Sequence, residues 1–162
     1  MGRAKKEQRG VVKQVVIETF CHSTEDCEKV RRALLNVVSP SLRNAIEIAE
    51  EVGAGYYGNE IRILRAQLKE AQEELSYLMA SMRPEDKLLL RASLNLRVDE
   101  KAGRLYLRFD KQAAYNGRLE LHDVDDVIKV VVTFRGLRRG ELLEYLSSML
   151  AKAPEEGGLR KP

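Results

Sequence analysis

The chain has 162 residues, of which 44% are hydrophobic and 33% are charged, whereas an average domain carries about 25% charged residues. This composition excludes a wholly disordered chain and predicts a globular protein with a buried core and a densely charged surface. No apolar run approaches the roughly 18 residues needed to span a bilayer, and the first residues lack the apolar segment of a signal peptide, so we expect a cytoplasmic protein without membrane contact.

Positive charge is concentrated in parts of the chain. Lysine and arginine number 28 against 25 acidic residues, which gives a formal charge of +3. Residues 1–10 hold an excess of basic over acidic residues equal to that of the whole chain, and we interpret them as a flexible basic arm. Residues 101–118 and 129–139 are also mainly basic. Such segments attract phosphate groups through counterion release, although ordinary solvated surfaces show the same pattern.

A strand and a helix are predicted first. Residues 11–21 are rich in β-branched side chains, which is typical of a strand. A helix follows, because Ser23 is a suitable N-cap with Asp26 three residues later, and apolar residues then recur at helical spacing. Pro40 ends this helix, since its ring cannot continue the hydrogen-bond ladder. His22, just before the helix, is either a structural histidine or part of an anion site at the helix N-terminus.

The only two cysteines, Cys21 and Cys27, lie six positions apart. Two cysteines are too few for a disulfide framework or a four-thiolate zinc site. We interpret Cys21 as a small buried apolar residue and Cys27 as a residue on a helix face.

The middle of the chain predicts two strands and two helices. Residues 45–51 and 61–69 are candidate strands, joined by a loop at 52–59 that contains three glycines. Residues 71–82 place apolar side chains on one helical face, which predicts a second amphipathic helix. Pro84, followed by two acidic residues, predicts the start of a third helix.

The end of the third helix is open. Apolar and polar residues alternate over residues 94–98, and turn-forming residues follow at 100–103, so a hairpin competes with a helix over 84–98. Residues 104–109 form the clearest predicted strand, because apolar residues alternate there with arginine and tyrosine.

The last strand is predicted over residues 128–134, and a closing helix over 140–150. This order of elements predicts a single α+β domain over residues 11–151, with a largely antiparallel sheet and helices packed on one face. The other face must meet water or a partner. We expect residues 152–162 to form a disordered tail.

Sequence motifs for catalysis are few. The only histidines are His22 and His122, and no motif for acyl transfer or nucleotide hydrolysis is present. A metal-dependent nuclease is one alternative, because a cluster of carboxylates near His122 could hold Mg²⁺, its members being Asp110, Asp123, Asp125 and Asp126. Turn formation by aspartate is the more common explanation of such a stretch.

Two segments carry aromatic residues suited to nucleic acid. In the clearest strand, Tyr106 lies between Arg104 and Arg108 on one face, which combines a stacking surface with two phosphate-binding groups. Tyr56 and Tyr57 lie in the glycine-rich loop, where they could stack on unpaired bases. A solvated strand and a loop that covers the core edge would explain the same residues without RNA.

Three blocks of sequence are distinctive. They are residues 19–30, residues 55–61 with the run Gly-Tyr-Tyr-Gly-Asn, and residues 107–130, which begin with Leu-Arg-Phe-Asp-Lys-Gln-Ala-Ala-Tyr. The third block is the most specific. Together the blocks resemble an archaeal family described as RNA-binding proteins or predicted exosome subunits.

The resemblance implies a fold similar to the large-subunit ribosomal protein that binds 5S rRNA, a homodimer, and possible exosome or ribosome-related protein partners. It also favours a helix over residues 84–98. Two departures concern the loop, where the family usually has histidine in place of Tyr56 or Tyr57 and proline in place of Glu60. A histidine-based role of the loop is therefore in doubt, while stacking remains available.

We predict a non-catalytic RNA-binding protein that uses no cofactor or metal ion. The alternative from another class is a protein-interaction subunit of an RNA-processing complex that does not itself contact RNA. The predicted RNA-binding residues are basic, polar and aromatic side chains from two regions: Arg104, Tyr106, Arg108, Lys111, Gln112, Tyr115 and Arg118, supported by Tyr56, Tyr57, Asn59 and Arg62.

Overall fold

The computed structural model describes residues 10–54 and 59–159. Residues 1–9 of the predicted arm and the Tyr56–Tyr57 pair lie outside the described residues. The helices and strands follow one another in this order: β1 (Val12–His22), α1 (Cys27–Val37), β2 (Ile48–Ala54), β3 (Glu60–Lys69), α2 (Gln72–Ser81), α3 (Pro84–Ala92), α4 (Leu94–Arg97), β4 (Val98–Asp99), β5 (Arg104–Asp110), α5 (Lys111–Tyr115), β6 (Val127–Phe134) and α6 (Glu141–Leu159).

The strands form one six-stranded sheet in the order β2-β3-β1-β6-β5-β4. Every neighbouring pair is antiparallel. Near the middle of the sheet, Glu18 on β1 lies opposite Arg65 on β3 and Lys129 on β6, and Lys129 in turn lies opposite Arg108 on β5. Four strands thus contribute one charged residue each to a single row across the sheet.

The core lies on one face of the sheet. Side chains of β1, β5 and β6 alternate between buried and accessible positions, as expected where helices cover one face only. Leu34 of α1, Leu75 of α2 and Leu146 of α6 are fully buried in the same apolar cluster as Ile17 and Leu107. The predicted α+β class, with its antiparallel sheet, is confirmed.

The two cysteines are joined to each other. A disulfide bond links Cys21 at the end of β1 to Cys27 at the first position of α1, with the Cα atoms 5.7 Å apart. The interpretation as two independent residues was therefore wrong. The predicted start of α1 also shifts, because Asp26 and not Ser23 is the N-cap, and its carboxylate accepts a hydrogen bond from the backbone N–H of Glu28.

The open question over residues 84–98 resolves into a combination of both alternatives. Helices α3 and α4 occupy most of the segment, and the hydroxyl of Ser93 between them donates to the carbonyl of Leu89. The chain then forms the two-residue strand β4, in which Val98 pairs with Leu105 of β5. The short helix α5 is absent from the predicted elements, although Asp110 caps it by accepting from the N–H of Ala113 at 2.8 Å.

No helix within the described ranges is long and apolar enough to cross a membrane. The division of the chain into a basic arm, one domain and a disordered tail stays a prediction.

Glu74, in the first turn of α2, is a buried carboxyl group with 0% exposure. Its Oε1 accepts a hydrogen bond from the backbone N–H of Ser39 at 2.7 Å, and its Oε2 has no partner among the described residues. Burial raises the pKa of Glu74 to about 8, and the bond from Ser39 and the charge of Arg43 oppose this shift only in part. Folding therefore favours the protonated carboxyl group.

We expect Glu74→Gln to remove a pH dependence of stability. The folded pKa lies above the unfolded value of 4.5, so the stabilising contribution of the protonated group is complete below pH 4.5 and is lost as the pH rises through about 8. This loss amounts to up to about 5 kcal/mol in the wild-type protein. Urea unfolding between pH 5 and pH 9 should show a decline in the wild type and a flatter profile in the variant. Parallel profiles would contradict this assignment of Glu74.

Candidate nucleic-acid interface

Three predicted residues lie together on the accessible face of β5. Arg104, Tyr106 and Arg108 are exposed, while the residues between them are buried on the helix side. Tyr106 is 41% exposed. The alternation of the strand places the two guanidinium groups on either side of this ring, as the sequence predicts.

Two further residues extend this surface, and neither was among the predicted contacts. Lys129 on β6 lies directly opposite Arg108, and Phe20 on β1 is 37% exposed on the same face. The Lys129 ammonium nitrogen lies 5.7 Å from the centre of the Phe20 ring, which is a cation–π contact. We call Arg104, Tyr106, Arg108, Lys129 and Phe20 the free-face cluster.

Acidic residues near the free-face cluster have other partners. Asp99, directly opposite Arg104 on β4, accepts a hydrogen bond from the backbone N–H of Ala102 at 3.0 Å. Arg65 on β3 binds Glu18 through Nε at 2.8 Å and Glu51 through a second nitrogen at 3.2 Å. The carboxylates around Arg65 raise its pKa, the hydrogen bond that it donates to Glu18 being the largest cause. Within the described chain, no salt bridge joins Arg104, Arg108 or Lys129 to a carboxylate. The free-face cluster therefore keeps its positive charge available.

Lys111 occupies a different environment from the one that the sequence suggests. The residue is 6% exposed, and its ammonium group donates to the carbonyl of Phe20 at 2.7 Å. The same nitrogen lies 2.7 Å from Asp126 Oδ1 and 3.2 Å from Glu25 Oε1. Its charge is neutralised inside the protein, so the structure offers no free cation here for a phosphate group.

The remaining predicted residues of this region lie around α5. Gln112 is exposed, and Tyr115 is half-buried with the guanidinium of Arg32 6.0 Å from its ring centre. Both line a hollow of about 260 Å³ between α1 and α5. Arg118 is exposed and bound to Glu120, with Nε 3.0 Å from Oε2. These side chains do not join the free-face cluster.

The supporting residues lie at the start of β3. Asn59 is exposed there. Arg62 is bound to two carboxylates, at 3.1 Å to Glu50 and 3.6 Å to Glu60. The predicted contacts at Tyr56 and Tyr57 lie outside the described residues, so their role stays a prediction.

The acidic residues proposed for a metal site take separate partners. Asp123 binds Arg97, and Asp110 caps α5 with its carboxylate 3.9 Å from the His122 ring. Among the described residues, the group that could hold an ion is a different one, made of His22, Glu25 and Asp126, with ligand atoms within 4.8 Å of one another. The Lys111 ammonium already binds both carboxylates of that group.

Two hollows open on the free face, with volumes of about 430 Å³ and about 410 Å³. Phe20, Lys129 and His22 line the first, and Tyr106 lines the second together with exposed leucines of α3 and α4. Arg108 lines both hollows. Each hollow thus combines an aromatic ring with the same guanidinium group.

Comparison with known proteins gives consistent matches. The family model that matches residues 14–134 is described as RNA binding. An RNA-binding protein of Pyrococcus abyssi is 37% identical over 119 residues, which is 70% of this chain and 76% of that protein. An uncharacterized protein of Methanocaldococcus jannaschii is 30% identical over 130 residues, which is 77% of this chain and 86% of that protein.

A solved structure matches over a similar length. The crystal structure of a protein from Sulfolobus solfataricus has a TM-score of 0.72 at 26% sequence identity, and the match covers 86% of this chain and 98% of that chain. The family match over residues 14–134 begins in β1 and ends with β6, so the free-face cluster lies within it.

Substitution of Lys111 and of Arg118 compares a buried, structural cation with a cation on the surface. We expect Lys111→Met to lower the free energy of unfolding by about 2 kcal/mol, because two carboxylates and a carbonyl lose their common donor. Arg118→Met should change it by no more than about 0.5 kcal/mol, since the Arg118–Glu120 pair is solvated. Urea unfolding measures both. Equal small changes would contradict the buried network.

Proposed function

The chain belongs to this RNA-binding family, and from that premise we propose that it is a non-catalytic RNA-binding protein whose contact surface is the free-face cluster. The observation that carries the proposal is the set of three cations, Arg104, Arg108 and Lys129, which share one accessible sheet face and have no salt bridge within the described chain. Cations of this kind bind phosphate groups, and release of counterions supplies the affinity.

The proposal narrows the predicted contacts. The structure favours Arg104, Tyr106 and Arg108 and supports the addition of Lys129 and Phe20, whereas Lys111 and Arg62 already have acidic partners. Arg118 likewise has an acidic partner, Glu120, while exposed Gln112 and Asn59 would be peripheral contacts. The likeness to the Pyrococcus abyssi RNA-binding protein supports RNA as the ligand. Association with the exosome, or with ribosome-related proteins, in the cytoplasm of an archaeal cell is a further part of the proposal.

The proposal includes a homodimer. Leu88 projects from α3 with an exposed fraction of 59%, and it does not line either hollow of the free face. A leucine this exposed is apolar surface that a second copy of the chain would cover.

A second candidate function is a protein-interaction subunit without RNA contact. The observation that favours it is the apolar content of the free face, where Val16, Val131 and Ile63 are only half-buried. A protein partner would cover these side chains. The unpaired cations Arg104, Arg108 and Lys129 on β5 and β6 of the same face weigh towards RNA.

We expect the double variant Arg104→Ala with Arg108→Ala to lose about tenfold or more in RNA affinity at moderate salt. The slope of log affinity against log salt concentration should become shallower by about 0.7 to 0.9 for each cation removed, because each one releases counterions from a phosphate group. Filter binding at several salt concentrations measures both quantities.

The matched control is Arg91→Ala with Arg139→Ala, two exposed arginines outside the free face. The control removes the same charge and should leave the salt slope nearly unchanged. An equal loss in both double variants would contradict a defined surface. Affinity for RNA no greater than for an acidic polymer such as heparin would favour the protein-interaction function instead.

For the homodimer, sedimentation should give about twice the chain mass of 18.4 kDa. Leu88→Glu places a charge in the proposed interface and should give the monomer without unfolding the chain. The control Val124→Glu changes another exposed apolar residue, 64% accessible, and should leave the dimer intact. A monomeric wild-type protein, or an unchanged dimer in Leu88→Glu, would contradict this part of the proposal.

A further inference from the structure

We propose that the free face selects single-stranded RNA, with one unpaired base in each of the two hollows and the intervening phosphate groups on Arg108 and Lys129. This inference rests on the proposed function and names the class of RNA that the same surface takes. It depends on the positions of the two rings, the pairing of the charges around the hollows and the spacing of the hollows, whereas the proposed function depends on the three unpaired cations.

Each hollow contains one accessible aromatic ring, which is a stacking platform for a base. The ring of Phe20 lies in the first hollow, and that of Tyr106 lies in the second. Both rings are accessible on the free face of the sheet, since Phe20 is 37% exposed and Tyr106 is 41% exposed. Bases inside a duplex are already stacked and cannot reach such rings, whereas unpaired bases can.

The charges around the hollows determine where a phosphate group binds. Lys111 in the Phe20 hollow is bound by Asp126, and Arg97 in the Tyr106 hollow is bound by Asp123. Arg108 and Lys129 have no such carboxylate partner within the described chain, so they attract a phosphate group more strongly. The phosphate groups are therefore directed to the ridge between the hollows, where Arg108 and Lys129 stand side by side in the β5–β6 register.

The distance between the rings excludes a continuous base stack. Phe20 and Tyr106 are two strands apart and offset by four residues along the strands. Strand geometry therefore separates them by about 16 Å. Stacked neighbouring bases lie only about 3.4 Å apart. Two bases held on these rings must be splayed, with at least one nucleotide between them.

Lys129 is placed to serve both parts of the site. Its ammonium group lies over the Phe20 ring, and Lys129 is exposed on the ridge beside Arg108. A base stacked on Phe20 would bring its own phosphate group close to this cation. Glu18, the acid opposite Lys129 in the register, is bound by Arg65 and does not compete.

The first test compares two forms of one probe. A fluorescent RNA of about ten nucleotides with an unstructured mixed sequence is titrated alone and as a duplex with its complement. We expect the single strand to bind at least tenfold more tightly than the duplex at the same salt concentration. Phe20→Trp adds the only tryptophan to a chain that has none, and its fluorescence should be quenched by the single strand and not by the duplex.

The second test removes the rings singly. Phe20→Leu and Tyr106→Leu keep apolar bulk and should each weaken single-strand binding about tenfold. The matched controls Phe20→Tyr and Tyr106→Phe keep a ring and should retain affinity within about twofold. Thermal unfolding of all four variants verifies that they fold.

The outcomes separate the two proposals. If the arginine double variant loses affinity but the leucine variants do not, or if duplex binds as tightly as single strand, the inference is wrong and the proposed function stands. If RNA does not bind at all, both are wrong. Ring-dependent, single-strand-selective binding supports the inference.

Discussion

The buried ammonium group of Lys111 connects three segments that are far apart in the chain. It binds the carbonyl of Phe20 at the end of β1, Glu25 in the turn before α1, and Asp126 in the segment that leads into β6. A lysine this deeply buried requires acidic partners, because desolvation of an unpaired charge is very unfavourable. Lys111 therefore links β1 at Phe20, which lines the first hollow of the free face, to the turn before α1 and to the start of β6.

The second constraint is the alternation of side chains along β1, β5 and β6. Helices cover one face, so Arg104, Tyr106 and Arg108 are accessible because Leu105 and Leu107 are buried. A slip of one residue in the pairing of β5 with β6 would place arginines in the core, and the apolar cluster prevents it. The chemistry of the free face is thus fixed by packing on the opposite face.

Much of the fold follows from local patterns, and part of the candidate site does too. The alternation over 104–109 identifies the β5 residues because it depends on neighbours in sequence alone. Phe20 and Lys129 are harder to find, since their closeness to Arg108 depends on the order of strands in the sheet. A signal for Lys129 exists in the sequence, because its two neighbours Ile128 and Val130 are apolar, and both are buried in the structure.

The charge of a residue does not show whether it is free or paired in the fold, as two of the predicted contacts illustrate. Lys111 and Arg62 belong to basic or polar stretches, yet their partners Glu25 and Glu50 come from other elements. Local sequence contains no information about such distant pairing. The Cys21–Cys27 link escaped prediction for a related reason, because only the reversal of the chain between β1 and α1 brings the two Cα atoms within 5.7 Å.

That disulfide has a consequence for the unfolded chain. It closes a ring between residues six positions apart, and the ring includes His22 and Glu25. Restricting the entropy of a loop this short is worth about 2 kcal/mol to the native state. In a reducing compartment this contribution is absent, and the turn that carries Glu25 then depends on its hydrogen bonds alone. The oxidation state of the surroundings thereby sets how firmly one wall of the Lys111 pocket is held.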